Sequence, residues 1–275
     1  MATFSAFADE IAPDLKTQMD VCEANGVRYI DVRGIDKMNV SEFTVEQAGE
    51  YARQMAGRGF GVPCIGSPIG KIRIDEPFGP HLDLLKHCFD VAKAFGAPYV
   101  RMFSFYPPEG GEIAEHRQQV MDQLAAMAQA AEAADVVLLH ENEGRIYGEK
   151  PEDVKDIFAT VRSEHLKGIF DPANFVTAGV APYDEGWTQG LAELTHYFHI
   201  KDKVAGAKTC VPAGEGEGQI PETLADAQAR GFDGYLTLEP HMASAGQFSG
   251  FTGPELFGKA VAGLKAVCDK AGMKY

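Results

Sequence analysis

The sequence lacks the features of a secreted or membrane-spanning protein. Its five cysteines are odd in number, lie far apart and show no C-x-x-C spacing, which favours reduced thiols over disulfides or a zinc knuckle. No uninterrupted apolar run is long enough to span a bilayer, and the first residues do not have the basic and apolar regions of a signal peptide. We therefore expect a cytoplasmic protein with no membrane partner.

Basic residues are also scarce. The chain has 25 Lys and Arg against 40 Asp and Glu, which gives a formal net charge of -15. No local cluster of Lys and Arg offsets this charge, so the field of the protein should repel phosphate backbones, and we expect no nucleic-acid partner. With 45% hydrophobic residues, the composition of the 275-residue chain is that of a folded globular protein.

Short apolar segments alternate with segments of helical spacing from one end of the chain to the other. The apolar segments are TFSAF, YIDV, GVPCI, PYVRMF, VVLLH, KGIFD, YFHIK and GYLTLE. Several helical segments end on glycine, and no linker interrupts the series, which favours one domain over residues 1–275. Eight strand–helix units predict an α/β fold, either a (β/α)8 TIM barrel or an open doubly wound sheet.

Side-chain alternation favours the barrel. In YFHIK, Phe198 and Ile200 fall on one face of the strand, and His199 and Lys201 fall on the other. An open sheet with helices on both faces would leave little room for such polar residues, whereas a barrel gathers them at the C-terminal ends of its strands. We therefore predict a single TIM barrel.

Four successive strand ends carry one potential metal ligand each: Glu141, Asp171, His199 and Glu239. Three converging carboxylates would repel one another, and a divalent cation would remove that repulsion. Oxygen ligands with one imidazole suit Mn²⁺ best, with Mg²⁺, Co²⁺ or Zn²⁺ as alternatives. Taken singly, each residue also has a structural explanation: Asp171 as a turn residue, His199 as a core histidine, Glu239 as a solvated side chain.

A divalent metal with open positions could bind a carbonyl and a neighbouring hydroxyl of a sugar and stabilise an enediolate. Glu141 and Glu239 come from different strands, so we predict that they also serve as the catalytic acid and base. Arg101 and Lys201 point inward by alternation, and Lys71 follows the third strand. We assign these three a weaker role in substrate binding, although a salt bridge or an exposed loop position is the alternative. Arg33 is inward too, and we expect it to pair with Asp31.

The motifs LLHEN, FDPAN, HYFHIKD and GEGEGQIPETLADAQARGFDGYLTLE resemble those of the xylose isomerase-like barrel superfamily of sugar isomerases and epimerases, and the resemblance covers essentially the whole chain. It implies a metal at the four residues above, with the two glutamates as acid and base, and a homo-oligomer. Ketose 3-epimerases of this group generally have a histidine where this chain has Asn174, a further substrate-binding candidate together with His241. The segment GEGEG, residues 214–218, is interpreted as a conformationally demanding loop, not a phosphate cradle.

Four functions remain open. The first is a metal-dependent isomerase or epimerase of a sugar or sugar phosphate, and the second is an inosose-type dehydratase that uses the same residues. A hydrolase resembling endonuclease IV would need more metal ligands and a basic surface, against which the charge of -15 argues. A non-catalytic sugar-binding barrel would not need three carboxylates close together.

Overall fold

The computed structural model describes residues 1–243 and 251–275. Its β-strands are β1 Thr3–Ala6, β2 Gly34–Ile35, β3 Met38–Asn39, β4 Cys64–Ile65, β5 Tyr99–Met102, β6 Val137–Glu141, β7 Leu166–Phe170, β8 Thr195–Ile200 and β9 Tyr235–Leu238. Its α-helices are α1 Leu15–Ala24, α2 Val45–Gly57, α3 Phe78–Phe95, α4 Arg117–Ala134, α5 Pro151–Thr160, α6 Pro172–Thr177, α7 Ile220–Ala229 and α8 Pro254–Ala271. Several short 3-10 turns and one π turn connect them.

Seven strands form a parallel sheet in the order β1-β9-β8-β7-β6-β5-β4. Residues 29–32, predicted as the second strand, close this sheet into a barrel. Tyr29 bridges Gly61 and Val32 bridges Ile65, both in the parallel sense. On the other side, the N–H of Asp31 donates to the carbonyl of Ala6 at 3.0 Å. The TIM-barrel prediction is therefore confirmed. The second strand of the barrel is held by single bridges and not by a continuous ladder. β2 and β3 form a separate antiparallel hairpin.

Two apolar layers account for the packing of the barrel. The outward faces of the strands join the helices in one continuous core, to which Phe198 and Leu236 contribute. Inside the barrel, a smaller cluster of Cys64, Leu139 and Ile169 packs with Tyr197. Because side chains alternate along a strand, Leu139 in this inner cluster and Glu141 two residues later point to the same side. The inner cluster thus fills the barrel below the polar strand ends.

Helix ends follow the local signals of the sequence. The side chain of Asp14 caps α1 by accepting the N–H of Thr17 at 2.9 Å. Gly96 ends α3 and Gly272 ends α8 in the left-handed conformation, with φ of 70° and 66°. Glycine adopts this conformation without the steric cost of a Cβ, as the sequence pattern predicted. Among the residues described, none of the helices has the length and apolar character needed to cross a membrane.

Candidate metal centre

Four strand ends bring the predicted ligands together. Glu141 is the last residue of β6, His199 lies in β8, and Asp171 and Glu239 directly follow β7 and β9. All four side chains are buried, and one ligand atom from each lies within 4.8 Å of the corresponding atoms of the others. This buried acidic and histidine cluster could bind a metal ion.

His199 is the residue whose surroundings fit a metal ligand best. Its Nδ1 lies 3.1 Å from Oε1 of Glu141 and 3.5 Å from Oε2 of Glu239. Neither ring nitrogen makes an aligned hydrogen bond within the described part of the chain. Buried polar atoms rarely stay without partners, because burial removes their bonds to water. A cation held among the carboxylates would give Nδ1 of His199 a partner.

Two of the predicted substrate-binding cations balance the charge of the cluster. The Nζ of Lys201 lies 2.8 Å from Oδ2 of Asp171 and 3.1 Å from Oε2 of Glu239. The Nη1 of Arg101 lies 3.2 Å from Oε2 of Glu141. Both basic side chains are buried and point inward, as strand alternation predicted. Such pairing is required here, because an uncompensated buried carboxylate is very costly.

The three carboxyl groups differ in how easily they ionise. Burial acts to raise the pKa of Glu141, but the charges of His199 and Arg101 outweigh it and lower that pKa to about 2. For Glu239 too, burial is outweighed, by Lys201 and His241, and its pKa falls well below the usual range. For Asp171, burial prevails over the opposing charge of Lys201 and raises the pKa to about 7. Glu141 and Glu239 are therefore held as carboxylates, the charged form that binds a cation.

The remaining candidates lie at increasing distance from the cluster. The Nδ2 of Asn174 donates to the carbonyl of Asn142 at 2.9 Å and lies 3.4 Å from Oε1 of Glu141, so its amide adjoins the centre. His241 is 3.5 Å from Oε1 of Glu239. Lys71 lies farther out, in an ion pair of 2.9 Å with Glu143 and 4.2 Å above the ring centroid of Phe103.

Arg33 is a site residue that sequence reasoning missed. Its Nη1 lies 2.9 Å from Oε1 of Glu239, and its Nε donates to Oδ2 of Asp9 at 2.8 Å. The expected pairing of Arg33 with Asp31 was wrong, since Asp31 accepts hydrogen bonds from hydroxyls deeper in the barrel. Strand alternation indicated that Arg33 points into the barrel. It could not indicate the partner, because Glu239 lies near the other end of the chain.

Glu10 was missed as well. It is fully buried in the 3-10 turn Ala8–Glu10 that follows β1, where strand alternation no longer applies. Its Oε1 lies 3.2 Å from Nε2 of His241, and its Oε2 accepts the N–H of the same residue at 2.9 Å. Burial and Lys201 act to lower the pKa of His241, but Glu239 and Glu10 outweigh them and raise it to about 9. His241 is thus a cation beside the cluster.

The GEGEG loop is built around a carboxylate of its own chain. Asp202 accepts the backbone N–H groups of Gly214, Gly216 and Gly218 at 2.8, 3.1 and 2.9 Å, together with that of Lys203 at 2.8 Å. This arrangement agrees with the prediction of a conformationally demanding loop. Because Asp202 is one residue from Lys201, the loop also fixes the end of β8 near the centre.

A cavity at the C-terminal end of the barrel lies next to the buried cluster, because three of its lining residues contact the cluster. The cavity has a volume of about 950 Å³ and is lined near the centre by Asn174, Lys201 and His241, and farther out by Lys71, Arg145 and Lys208. A cavity of this size accommodates a small molecule.

Solved structures with similar folds were found at low sequence identity. A D-tagatose 3-epimerase-like protein has a TM-score of 0.76 at 16% identity, over 98% of this chain and 99% of that chain. The probable 3-DHS dehydratase AsbF from Bacillus anthracis has a TM-score of 0.74 at 14% identity, over 96% and 99%. An IOLI protein with a binding zinc atom has a TM-score of 0.74 at 17% identity, over 98% of each chain. At these identities the likeness shows the fold alone.

Sequence comparison identifies the family. No curated protein matches the chain. The family model described as xylose isomerase-like TIM barrel matches residues 19–267, which span the four clustered side chains. The chain therefore belongs to the xylose isomerase-like TIM barrel family.

Proposed function

We propose that the chain is a divalent-metal-dependent isomerase or epimerase that acts on a small sugar or sugar phosphate. In this proposal Glu141, Asp171, His199 and Glu239 hold one divalent ion. Mn²⁺ suits the three carboxylates and one imidazole best, and Mg²⁺, Co²⁺ and Zn²⁺ are the alternatives. When bound, the ion would supply Lewis-acid polarisation of a substrate carbonyl.

The proton transfer is assigned to Glu141 and Glu239. They approach His199 from different strands, at 3.1 and 3.5 Å from its Nδ1, so a substrate carbon above the cluster could have one carboxylate on each side. One carboxylate would remove the proton from carbon, and the other would return a proton at the product position. Arg101 and Arg33 orient these two groups through their contacts of 3.2 and 2.9 Å.

Further out, the amide of Asn174 and the ammonium of Lys201 are placed to bind substrate oxygens. Both line the cavity and contact a proposed ligand. His241 contacts both Glu10 and Glu239 and thereby supports Glu239. Lys71 contributes to substrate binding only at the rim of the cavity. The proposal treats residues 1–275 as a single catalytic domain that acts as a homo-oligomer on a small molecule.

The observation that carries the proposal is the set of unsatisfied buried atoms. Both ring nitrogens of His199 are buried without aligned hydrogen bonds in the described residues, beside three carboxylates in a cluster that spans 4.8 Å. A barrel used only for binding sugars, or only as a scaffold, would have no need for three carboxylates so close together.

Two measurements test the proposal. Protein purified without chelator should contain about one divalent ion per chain, as a four-ligand site implies. With a panel of ketoses in deuterated water, the loaded protein should incorporate deuterium at one carbon, and Glu239→Gln should abolish this exchange. Glu164→Gln, at an exposed position outside the lining of the cavity, is the matched control and should retain it. Unchanged exchange in Glu239→Gln would refute the acid–base assignment.

A dehydratase is the second candidate, favoured by the amide of Asn174 beside Glu141. Ketose 3-epimerases of this group generally have a histidine at this position, so the site departs from theirs at a residue that adjoins the predicted base. Mass spectrometry of the product separates the two reactions, since dehydration loses one water and isomerisation keeps the mass. Mass spectrometry of the products from DNA with an abasic site would reveal hydrolysis of the endonuclease IV kind.

A further inference from the structure

Positive charge is concentrated at the mouth of the cavity, although the protein as a whole is strongly acidic. Six lysine and arginine residues line the cavity, whereas only Glu109 and Glu143 among its lining residues are acidic. The chain as a whole carries a net charge of -15. A concave surface with the opposite sign from the rest of the molecule focuses the field and attracts anions.

Three of these six side chains have no acidic partner among the residues that the structure describes: Arg145, Lys203 and Lys208. Each of the other three, Lys71, Arg73 and Lys201, forms an ion pair of 3.1 Å or less. The sequence of residues 244–250, SAGQFSG, contains no acidic residue that could pair with the free cations. The unpaired charge therefore lies at the rim, whereas Lys201, beside the proposed metal centre, is paired with two carboxylates.

Two of the free cations lie on one loop whose ends are fixed. We call residues 203–210, KVAGAKTC, the rim loop; it contains two lysines and no acidic residue. Asp202 forms an antiparallel bridge with Val211 and thereby joins the two ends of the loop. The N–H of Cys210 donates to the carbonyl of His241 at 3.1 Å, which ties the loop to the last strand end.

The backbone of Lys203 is fixed by two hydrogen bonds. Its N–H donates to Oδ1 of Asp202 at 2.8 Å, and its carbonyl accepts the N–H of Glu217 at 2.8 Å. Its Nζ is only 3.4 Å from the hydroxyl of Thr177, a neutral group. A lysine with a fixed backbone and no carboxylate partner is well placed to bind an anion of a ligand.

From this arrangement we propose that Lys203 and Lys208 bind an anionic group of the substrate, a phosphate or a carboxylate, whose reacting end lies at the metal centre. Arg145, on the loop that follows β6, lines the same cavity and adds to its positive field. This inference rests on the proposed function and narrows its substrate class to charged sugars or sugar acids.

Binding of small anions tests the inference without any need for turnover. Inorganic phosphate and acetate are titrated calorimetrically into the 275-residue protein, both loaded with metal and after its removal. The double variant Lys203→Gln/Lys208→Gln should bind the preferred anion about tenfold more weakly, as expected for the loss of charge-assisted hydrogen bonds. The anion that binds more tightly identifies the charged group of the substrate.

Lys270→Gln is the matched control, because Lys270 lies in the last turn of α8, at the opposite end of the barrel from the mouth. It should bind phosphate like the wild type. Anion binding that survives in the double variant, or that is lost only when the metal is removed, would overturn the inference, since the anion would then bind elsewhere.

The two proposals can fail separately. If the protein holds no metal but the double variant still loses anion binding, the reaction assigned to the metal centre is wrong and the anion site stands.

Kinetics give a second comparison. For a sugar phosphate or sugar acid, the double variant should raise KM about tenfold with little change in kcat. A neutral sugar should show no such change, and equal effects on both substrates would contradict the proposed contact.

Discussion

Asp202 Oδ1 accepts the backbone N–H of Gly218 at 2.9 Å, and this hydrogen bond explains why glycines alternate in the GEGEG segment. A Cβ at Gly218 would lie 2.7 Å from the same oxygen, closer than van der Waals contact allows. A Cβ at Gly216 would overlap this oxygen as well. The alternate glycines leave room for their N–H groups to converge on a buried carboxylate, as in other anion-binding backbone nests.

Replacing Asp202 by Asn should destabilise the protein by about 2–3 kcal/mol, because an amide NH₂ would face N–H donors that now bind an acceptor. Urea unfolding measures this loss. Glu215→Ala is the control in the same loop, since Glu215 is exposed and should matter little. Equal stability of Asp202→Asn and wild type would contradict the role of Asp202 in organising the loop.

Lys201→Met should destabilise the metal-free protein by about 3 kcal/mol, because it leaves the buried carboxylate of Asp171 without its cation and removes one of the cations around Glu239. Added Mn²⁺ should restore part of the loss, since the ion would compensate the same two groups. Thermal unfolding with and without metal measures both effects. Lys16→Met, which removes an exposed ion pair with Asp20, should cost less than about 1 kcal/mol. Equal losses in the two variants would show that Lys201 is not needed for charge balance.

Arg33→Lys should lower the rate of proton exchange about tenfold or more, because lysine cannot contact Asp9 and Glu239 with the planar fork of arginine. The readout is kcat for deuterium incorporation, with KM and the unfolding temperature measured in parallel. A positioning role predicts a lower kcat at little change in stability. Arg28→Lys, on the surface, is the control; a drop in stability without a change in kcat would assign Arg33 to folding alone.

Strand residues could be placed from the sequence because a regular strand fixes which side chains point inward. Glu141 therefore faced the cluster as predicted, and His140 faced the helices, where its Nε2 lies 2.8 Å from the hydroxyl of Ser104 and its ring contacts Phe158. Glu10 could not be placed in this way, because it follows β1 in a 3-10 turn with no two-residue repeat.

The partners of inward charges were equally beyond a local pattern. Arg33 and Asp31 are neighbours in sequence and both point into the barrel, yet each finds its partner across the barrel: Glu239 for Arg33, and Tyr197 and Thr237 for Asp31. Which pairs form depends on the register between strands that are distant in sequence. One sequence does not specify this register.

Asp31 should make stability depend on pH in a defined direction. Burial raises its pKa to about 6, against the opposing effect of the hydroxyl donors Ser5 and Tyr197 and of His199. Since the ordinary pKa of an aspartate side chain is 3.8, the folded state binds the proton more tightly than the unfolded chain. Ionised Asp31 therefore destabilises the fold by about 3 kcal/mol above pH 6, and this cost shrinks as the pH falls from about 6 towards 4.

The variant Asp31→Asn has no such titration, so its stability relative to wild type should be greater at pH 8 than at pH 5 by about 1 kcal/mol. Any constant effect of the altered hydrogen bonds cancels in this comparison. Urea unfolding at the two pH values measures it, and Asp36→Asn, at an exposed position, controls for general effects of removing one negative charge. A difference between Asp31→Asn and wild type that is the same at both pH values would show that Asp31 is not buried in its ionised form.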